Sequence, residues 1–86
     1  MTAQADRTVP RYRIQKRLIR KRTDEEFWAT YRGHEIEINR ERGARGWYIR
    51  VTAPSGCYAY DGWWGEEWNT MDEAITQALV GSCLLP

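Results

Sequence analysis

The sequence predicts an α+β domain, an antiparallel meander of three to four strands covered on one face by a C-terminal helix, and three observations carry that expectation. Residues 69–81 hold an amphipathic repeat with its own start and stop signals. Before it, runs of aromatic and β-branched residues alternate with polar ones. Between those runs stand turn-forming pieces at Arg32-Gly33, Glu41 to Gly46 and Ala53 to Gly56.

The helix is the most explicit element. Thr70 is placed to accept from the first unpaired backbone N–H groups, and Glu73 to reach back to Thr70, which makes a capping box. Asp72 and Glu73 also suit the positive end of the helix dipole. Met71, Ala74, Ile75, Ala78 and Leu79 fall on one stripe, opposite Asp72, Glu73, Thr76 and Gln77. Gly81 is the expected left-handed stop, after which Leu84 and Leu85 tuck under the sheet.

The strands follow from alternation. Glu25 to Tyr31 and His34 to Asn39 form a hairpin about Arg32-Gly33, with Ile36 and Ile38 on one side and Glu35 and Glu37 on the other. Trp47 to Val51 makes a third strand, in which Trp47, Ile49 and Val51 face the helix and Tyr48 and Arg50 face away. Cys57 to Tyr60 makes a fourth, ended by Asp61-Gly62, and Trp63 to Trp68 fills the connection to the helix. Residues 1–9 are polar and unpatterned, a disordered tail, and residues 10–86 form a single domain. Tyr12, Ile14 and Leu18 keep the parity of a strand, while Ile14, Leu18 and Arg22 share one side of a helix; an N-terminal helix is preferred and the strand kept as its alternative.

Eighty-six residues bury about 60 to 65% of the unfolded surface, a thin core with no room for an enclosed cofactor cavity. Five Trp and five Tyr exceed what such a core absorbs, so some must cover a partner. The net charge of +1 conceals a division: residues 1–22 hold eight Arg or Lys against Asp6, whereas residues 23–86 hold five Arg against eleven acids. No apolar run approaches the ~20 residues of a membrane span and no secretory leader is evident, so a cytoplasmic location is expected. Cys57 and Cys83 lack metal-site spacing and are expected reduced, with pairing between them left open.

No catalytic constellation stands out. His34 is the sole histidine, with no nucleophile and orienting group at a recognisable spacing, and Glu66, Glu67 and Asp72 read as solvated or capping acids. Gly43 and Gly46 lack the strand-to-helix setting of a phosphate loop. Neither a cofactor nor a metal is expected, and the chain is read as a binder without enzymatic activity.

Two surfaces are candidates for that binding. One joins the acidic aromatic stretch Trp63, Trp64, Glu66, Glu67 and Trp68 to the outward sheet positions Tyr48, Tyr58 and Tyr60, since Trp and Tyr anchor protein interfaces. Glu35 and Glu37 on the same face repel phosphates and favour a protein partner. The alternative is direct nucleic-acid binding by Arg11, Arg13, Lys16, Arg17, Arg20, Lys21 and Arg22, with Arg50 adding charge to the sheet face. The oligomeric state is open, a homodimer included.

A helix, an antiparallel meander and a closing helix in that order resemble the double-stranded-RNA-binding fold. That family grips phosphates with lysines at the start of its last helix, where this chain has Asp72 and Glu73. Ala53-Pro54-Ser55-Gly56-Cys57 followed by Thr70-Met71-Asp72-Glu73-Ala74-Ile75 is similar to HicB-type antitoxins, with their Pro-x-Gly-Cys turn and Thr-x-Glu-Glu-Ala helix start. In size, charge asymmetry and lack of catalytic motif the chain resembles small phage or mobile-element inhibitors, anti-CRISPR proteins among them. The last two resemblances imply an inhibitor of a nucleic-acid-handling protein complex.

Overall fold

A computed structural model describes residues 12–85. The tail expected over residues 1–9, and Arg11, lie outside the described residues. A single 3₁₀ turn, Lys16–Leu18, leads into strands β1 (Ile19–Arg22), β2 (Glu26–Tyr31), β3 (His34–Asn39), β4 (Trp47–Thr52) and β5 (Tyr58–Trp64), and then helix α1 (Met71–Gly81). The strands pair antiparallel in the order β1-β2-β3-β4-β5, the simplest meander.

The sheet has five strands because the basic segment contributes one. The preferred N-terminal helix does not form: only the 3₁₀ turn is helical, and Ile19–Arg22 pairs with β2. A continuous helix would stack Arg13 on Arg17, Lys16 on Arg20 and Arg17 on Lys21, each a like-charge pair one turn apart. An extended edge strand separates those charges. Thr23 closes the β1–β2 turn, its Oγ1 accepting from the N–H of Glu25 at 3.2 Å and of Glu26 at 2.9 Å. At the next hairpin Arg32 and Gly33 both take positive φ, the geometry of a two-residue turn that matches strand twist.

Alternation sorts the sheet into two faces. Phe27, Ala29, Ile36, Ile38, Trp47, Ile49 and Val51 are buried against Met71, Ala74, Ile75, Ala78 and Leu79 of α1, the stripe that the sequence predicts. A helix about 10 Å wide is too narrow for five strands spaced about 4.8 Å apart. It packs over β3, β4 and β5, and the segment before β1 fills the remainder. There Ile14 is buried, Leu18 and Ile19 pack on the core, and the Tyr12 N–H donates to Thr76 Oγ1 at 3.0 Å. Thr76 is consequently buried rather than solvent-facing, and its hydroxyl donates in turn to the Asp72 carbonyl at 3.1 Å.

Both helix ends are fixed by local chemistry. The capping box is complete: Glu73 N–H donates to Thr70 Oγ1 at 3.1 Å, and Thr70 N–H to Glu73 Oε1 at 2.8 Å. At the far end the left-handed residue is Cys83, φ 59°, not Gly81, which is the last residue of the helix. Cys83 N–H bonds Val80 O at 3.0 Å and Leu84 N–H bonds Leu79 O at 2.9 Å, a Schellman closure that buries Leu84. No helix among the described residues is long and apolar enough to cross a membrane.

Candidate protein-binding face

The second face of the sheet has no element packed on it among the described residues. Register places its side chains in three rows. Lys21, Trp28, Glu37, Arg50 and Asp61 form one across all five strands. Glu26, Asn39, Tyr48 and Trp63 form the second, and Thr30, Glu35, Thr52 and Tyr58 the third. Of these, Trp63 is 58% exposed, Tyr58 56% and Trp28 45%, large values for side chains that are usually well buried.

The β5 half of this face is internally ordered. The Tyr48 hydroxyl donates to Asp61 Oδ1, and Arg50 Nη2 donates to the Tyr48 oxygen at 3.5 Å. Arg50 Nε lies 3.5 Å from Asp61 Oδ1, an ion pair by distance though not aligned as a hydrogen bond. The guanidinium also sits 4.8 Å from the centre of the Tyr58 ring and 5.7 Å from that of Tyr48. Its hydrogen bond to Tyr48, followed by its proximity to Tyr58, raises the pKa of Arg50 above its ordinary value. Tyr48 and Trp63 meet edge to face with centroids 5.3 Å apart. Two shallow hollows of ≈ 200 and ≈ 220 Å³ lie between Trp28 and Tyr48 and share Glu37 and Asn39.

A one-residue bulge decides which tyrosines belong here. Val51 pairs with Tyr60 and Thr52 with Tyr58, so Ala59 is the extra residue on β5. Tyr58 therefore faces outward and Tyr60 inward, against the expectation that both share the open face. The Tyr60 hydroxyl accepts from Gln77 Nε2 at 3.2 Å, and its ring packs on the core.

The tryptophan stretch divides as well. Strand β5 continues through Asp61-Gly62 to Trp64, so Trp63 and Trp64 are strand residues with opposite facings and not loop. Trp63 lies on the open face, whereas Trp64 packs half-buried on the core beside Trp47. Only Glu66, Glu67 and Trp68 remain in the connection, with Trp68 73% exposed and Glu67 exposed.

That connection is held by Arg40, which the sequence does not single out. Its Nη1 donates to Glu67 O at 3.2 Å, and its Nη2 to Glu66 O at 3.1 Å and Asn69 O at 3.0 Å. The guanidinium lies 4.0 Å above the Trp47 ring, and Trp47 Nε1 donates to Asn69 O at 3.0 Å. Asn69 Oδ1 accepts from Glu66 N–H at 2.7 Å. Trp68 thus projects from a fixed loop. Trp28 is the other residue the prediction missed, although parity with inward Phe27 and Ala29 signals its outward position.

The basic residues gather at the opposite edge. Arg22 reaches Asp72 of the helix at 3.1 Å and Lys21 pairs with Glu26 across the first hairpin. Arg13, Lys16, Arg17 and Arg20 are exposed, and none has a carboxylate partner among the described residues. His34 donates from Nδ1 to the Arg32 carbonyl at 3.0 Å, closing its own turn. Cys57 and Cys83 are both exposed free thiols, and the described residues contain no cluster of metal-ligating side chains. Comparison with family models, with curated proteins and with solved structures finds no match in any of the three.

Proposed function

We propose that the chain is a non-catalytic, cytoplasmic binding protein that occupies a basic surface on a nucleic-acid-handling protein complex, as an anti-CRISPR-like or antitoxin-like inhibitor. The observation that carries this reading is the sheet face on which no described element packs, with Trp28, Tyr58 and Trp63 each about half exposed or more. Exposed indole and phenol on a rigid sheet supply contact area at little cost in side-chain order, which is how interface anchors work. Exposed Trp68, on its fixed loop, extends the aromatic surface.

The charge of the face indicates the class of target. Glu26, Glu35, Glu37 and Asp61 stand there against Lys21 and Arg50, and both cations are already paired with carboxylates of the same face. Phosphates would be repelled, whereas Glu37 between the two hollows suits a lysine or arginine of a partner. Basic side chains exposed on a protein surface are characteristic of proteins that grip nucleic acid.

The test compares the tagged wild-type chain with Trp28→Ala/Trp63→Ala, purified in parallel from cells that carry the gene. The expected result is a protein complex retained by the wild type, displaced from its nucleic acid, and absent from the variant. Equal recovery with a correctly folded variant, or a complex still bound to its nucleic acid, rejects the reading.

A further inference from the structure

The sheet is electrically polarised from edge to edge. Six cations occupy positions 13–22, along the segment that ends in β1, while Asp61, Glu66 and Glu67 lie on or just beyond β5. Four strand spacings of about 4.8 Å put those two edges roughly 19 Å apart, well beyond the ~8 Å screening length at physiological salt. The acids of the β5 edge, of which Asp61 and Glu66 face Arg50 and Arg45, therefore do not neutralise the basic edge. The nearer acids are Asp24, Glu25 and Glu26 at the β1–β2 turn and Asp72 of the helix, of which Glu26 and Asp72 hold Lys21 and Arg22. Four of its cations, Arg13, Lys16, Arg17 and Arg20, also have no carboxylate partner among the described residues, unlike Lys21 and Arg22.

These four are mounted on a fixed base. Ile14 is buried between Arg13 and the 3₁₀ turn, Leu18 and Ile19 pack on the core, and the Tyr12 N–H is tied to Thr76. Gln15 Oε1 accepts from Arg17 Nε at 2.9 Å and steadies that guanidinium. The bulge at Arg20 takes one residue out of the β1–β2 register. No strand lies beyond β1 among the described residues. Holding four like charges together in this way lowers stability through mutual repulsion, and a bound polyanion relieves it.

We infer that this edge is a sequence-independent binding site for the phosphate backbone of a nucleic acid, contacted by Arg13, Lys16, Arg17 and Arg20. The site is separate from the open sheet face, and Arg50 has no part in it because Tyr48 and Asp61 hold it. The exposed aromatic residue of this segment is Tyr12, beside Arg13, whose stacking would be indifferent to base identity; the contact the edge offers is chiefly its charge, directed at phosphates.

The experiment titrates the full chain with a fluorescent 20-base-pair DNA duplex of arbitrary sequence at several salt concentrations. Four phosphate contacts predict a slope of log affinity on log salt of roughly −3 to −4, with a Kd on the order of 10⁻⁶ to 10⁻⁴ M at physiological salt. Arg17→Gln and Arg20→Gln each reduce the slope by about 1, and the fourfold Gln variant abolishes binding. The fourfold variant should also melt no lower than wild type at low salt, which shows that the lost binding is not lost folding. Arg42→Gln/Arg45→Gln, which removes two exposed charges elsewhere, one of them paired with Glu66, and the face variant Trp28→Ala/Trp63→Ala should bind the duplex as wild type does. Failure of this inference and failure of the proposed function are thereby separable. A slope flatter than about −1, equal loss on removing Arg42 and Arg45, or capture by vesicles of anionic lipid without capture of the duplex overturns it.

Discussion

The ring of Tyr60 lies so close to Gly81 that a Cβ at that helical position would stand 2.4 Å from the ring's Cε2. Glycine is therefore required at the end of α1 by a neighbour and not by a left-handed backbone. Gly81→Ala should destabilise the fold by about 1–3 kcal/mol, the usual cost of overpacking, which for a domain of this size lowers Tm by roughly 4–8 °C per kcal/mol. Combined with Tyr60→Ala it should cost distinctly less than the sum of the two single changes, because the clash has gone. Urea denaturation of the four proteins measures this, and additivity would contradict the contact.

Trp63 and Trp64 are adjacent in the chain but serve opposite faces. Trp64→Ala should cost roughly 2 kcal/mol, since its half-buried ring packs on the core. Trp63→Ala should cost less than about 1 kcal/mol, the value of its edge contact with Tyr48. Equal effects in chemical denaturation would mean that β5 does not run through both residues.

Arg40 supplies three hydrogen bonds to carbonyls of the connection before α1. Arg40→Met keeps most of the contact with Trp47 but leaves those carbonyls without their cation, and about 2 kcal/mol of stability should be lost. Amide exchange at residues 65–69 should quicken more than exchange in β3 or β4. Arg40→Lys should recover little, because a single ammonium nitrogen cannot stand in for the two separated guanidinium nitrogens that reach these carbonyls, nor lie flat on Trp47.

Cys83 takes the left-handed position of the Schellman closure without being glycine or asparagine. Cys83→Val should cost about 1–2 kcal/mol, as β-branching aggravates that conformation. Cys83→Gly should change stability by less than about 0.5 kcal/mol, because relief of strain is offset by the greater freedom of the unfolded chain. Melting temperatures of the two variants give the comparison directly.

Much of this architecture was legible in the residues. The capping box at Thr70 and Glu73, the stripe from Met71 to Leu79 and the facings of β3 and β4 follow from periodicity and side-chain chemistry alone, because each is decided within a few residues. What was not legible depends on distant partners. A strand over Ile19–Arg22 requires β2 to receive it, and residues 13–22 carry a pattern compatible with either period. The inward turn of Tyr60 requires the bulge at Ala59, which no turn residue announces. Asp61-Gly62 looks like the end of a strand but continues it, because Asp61 pairs outward with Arg50 and Gly62 stands opposite Ile49. On the candidate face, parity is enough to turn Tyr48 and Trp28 outward, whereas Arg40 gives no sign in the sequence of the loop it closes.

The closure by Arg40 has a consequence for how this chain can diversify. Because the guanidinium grips main-chain oxygens, the shape of the connection is indifferent to the side chains at positions 67 and 68. The scaffold therefore tolerates exchange of Glu67 and Trp68 for other residues, so the chemistry this loop displays can vary without altering the frame that carries it.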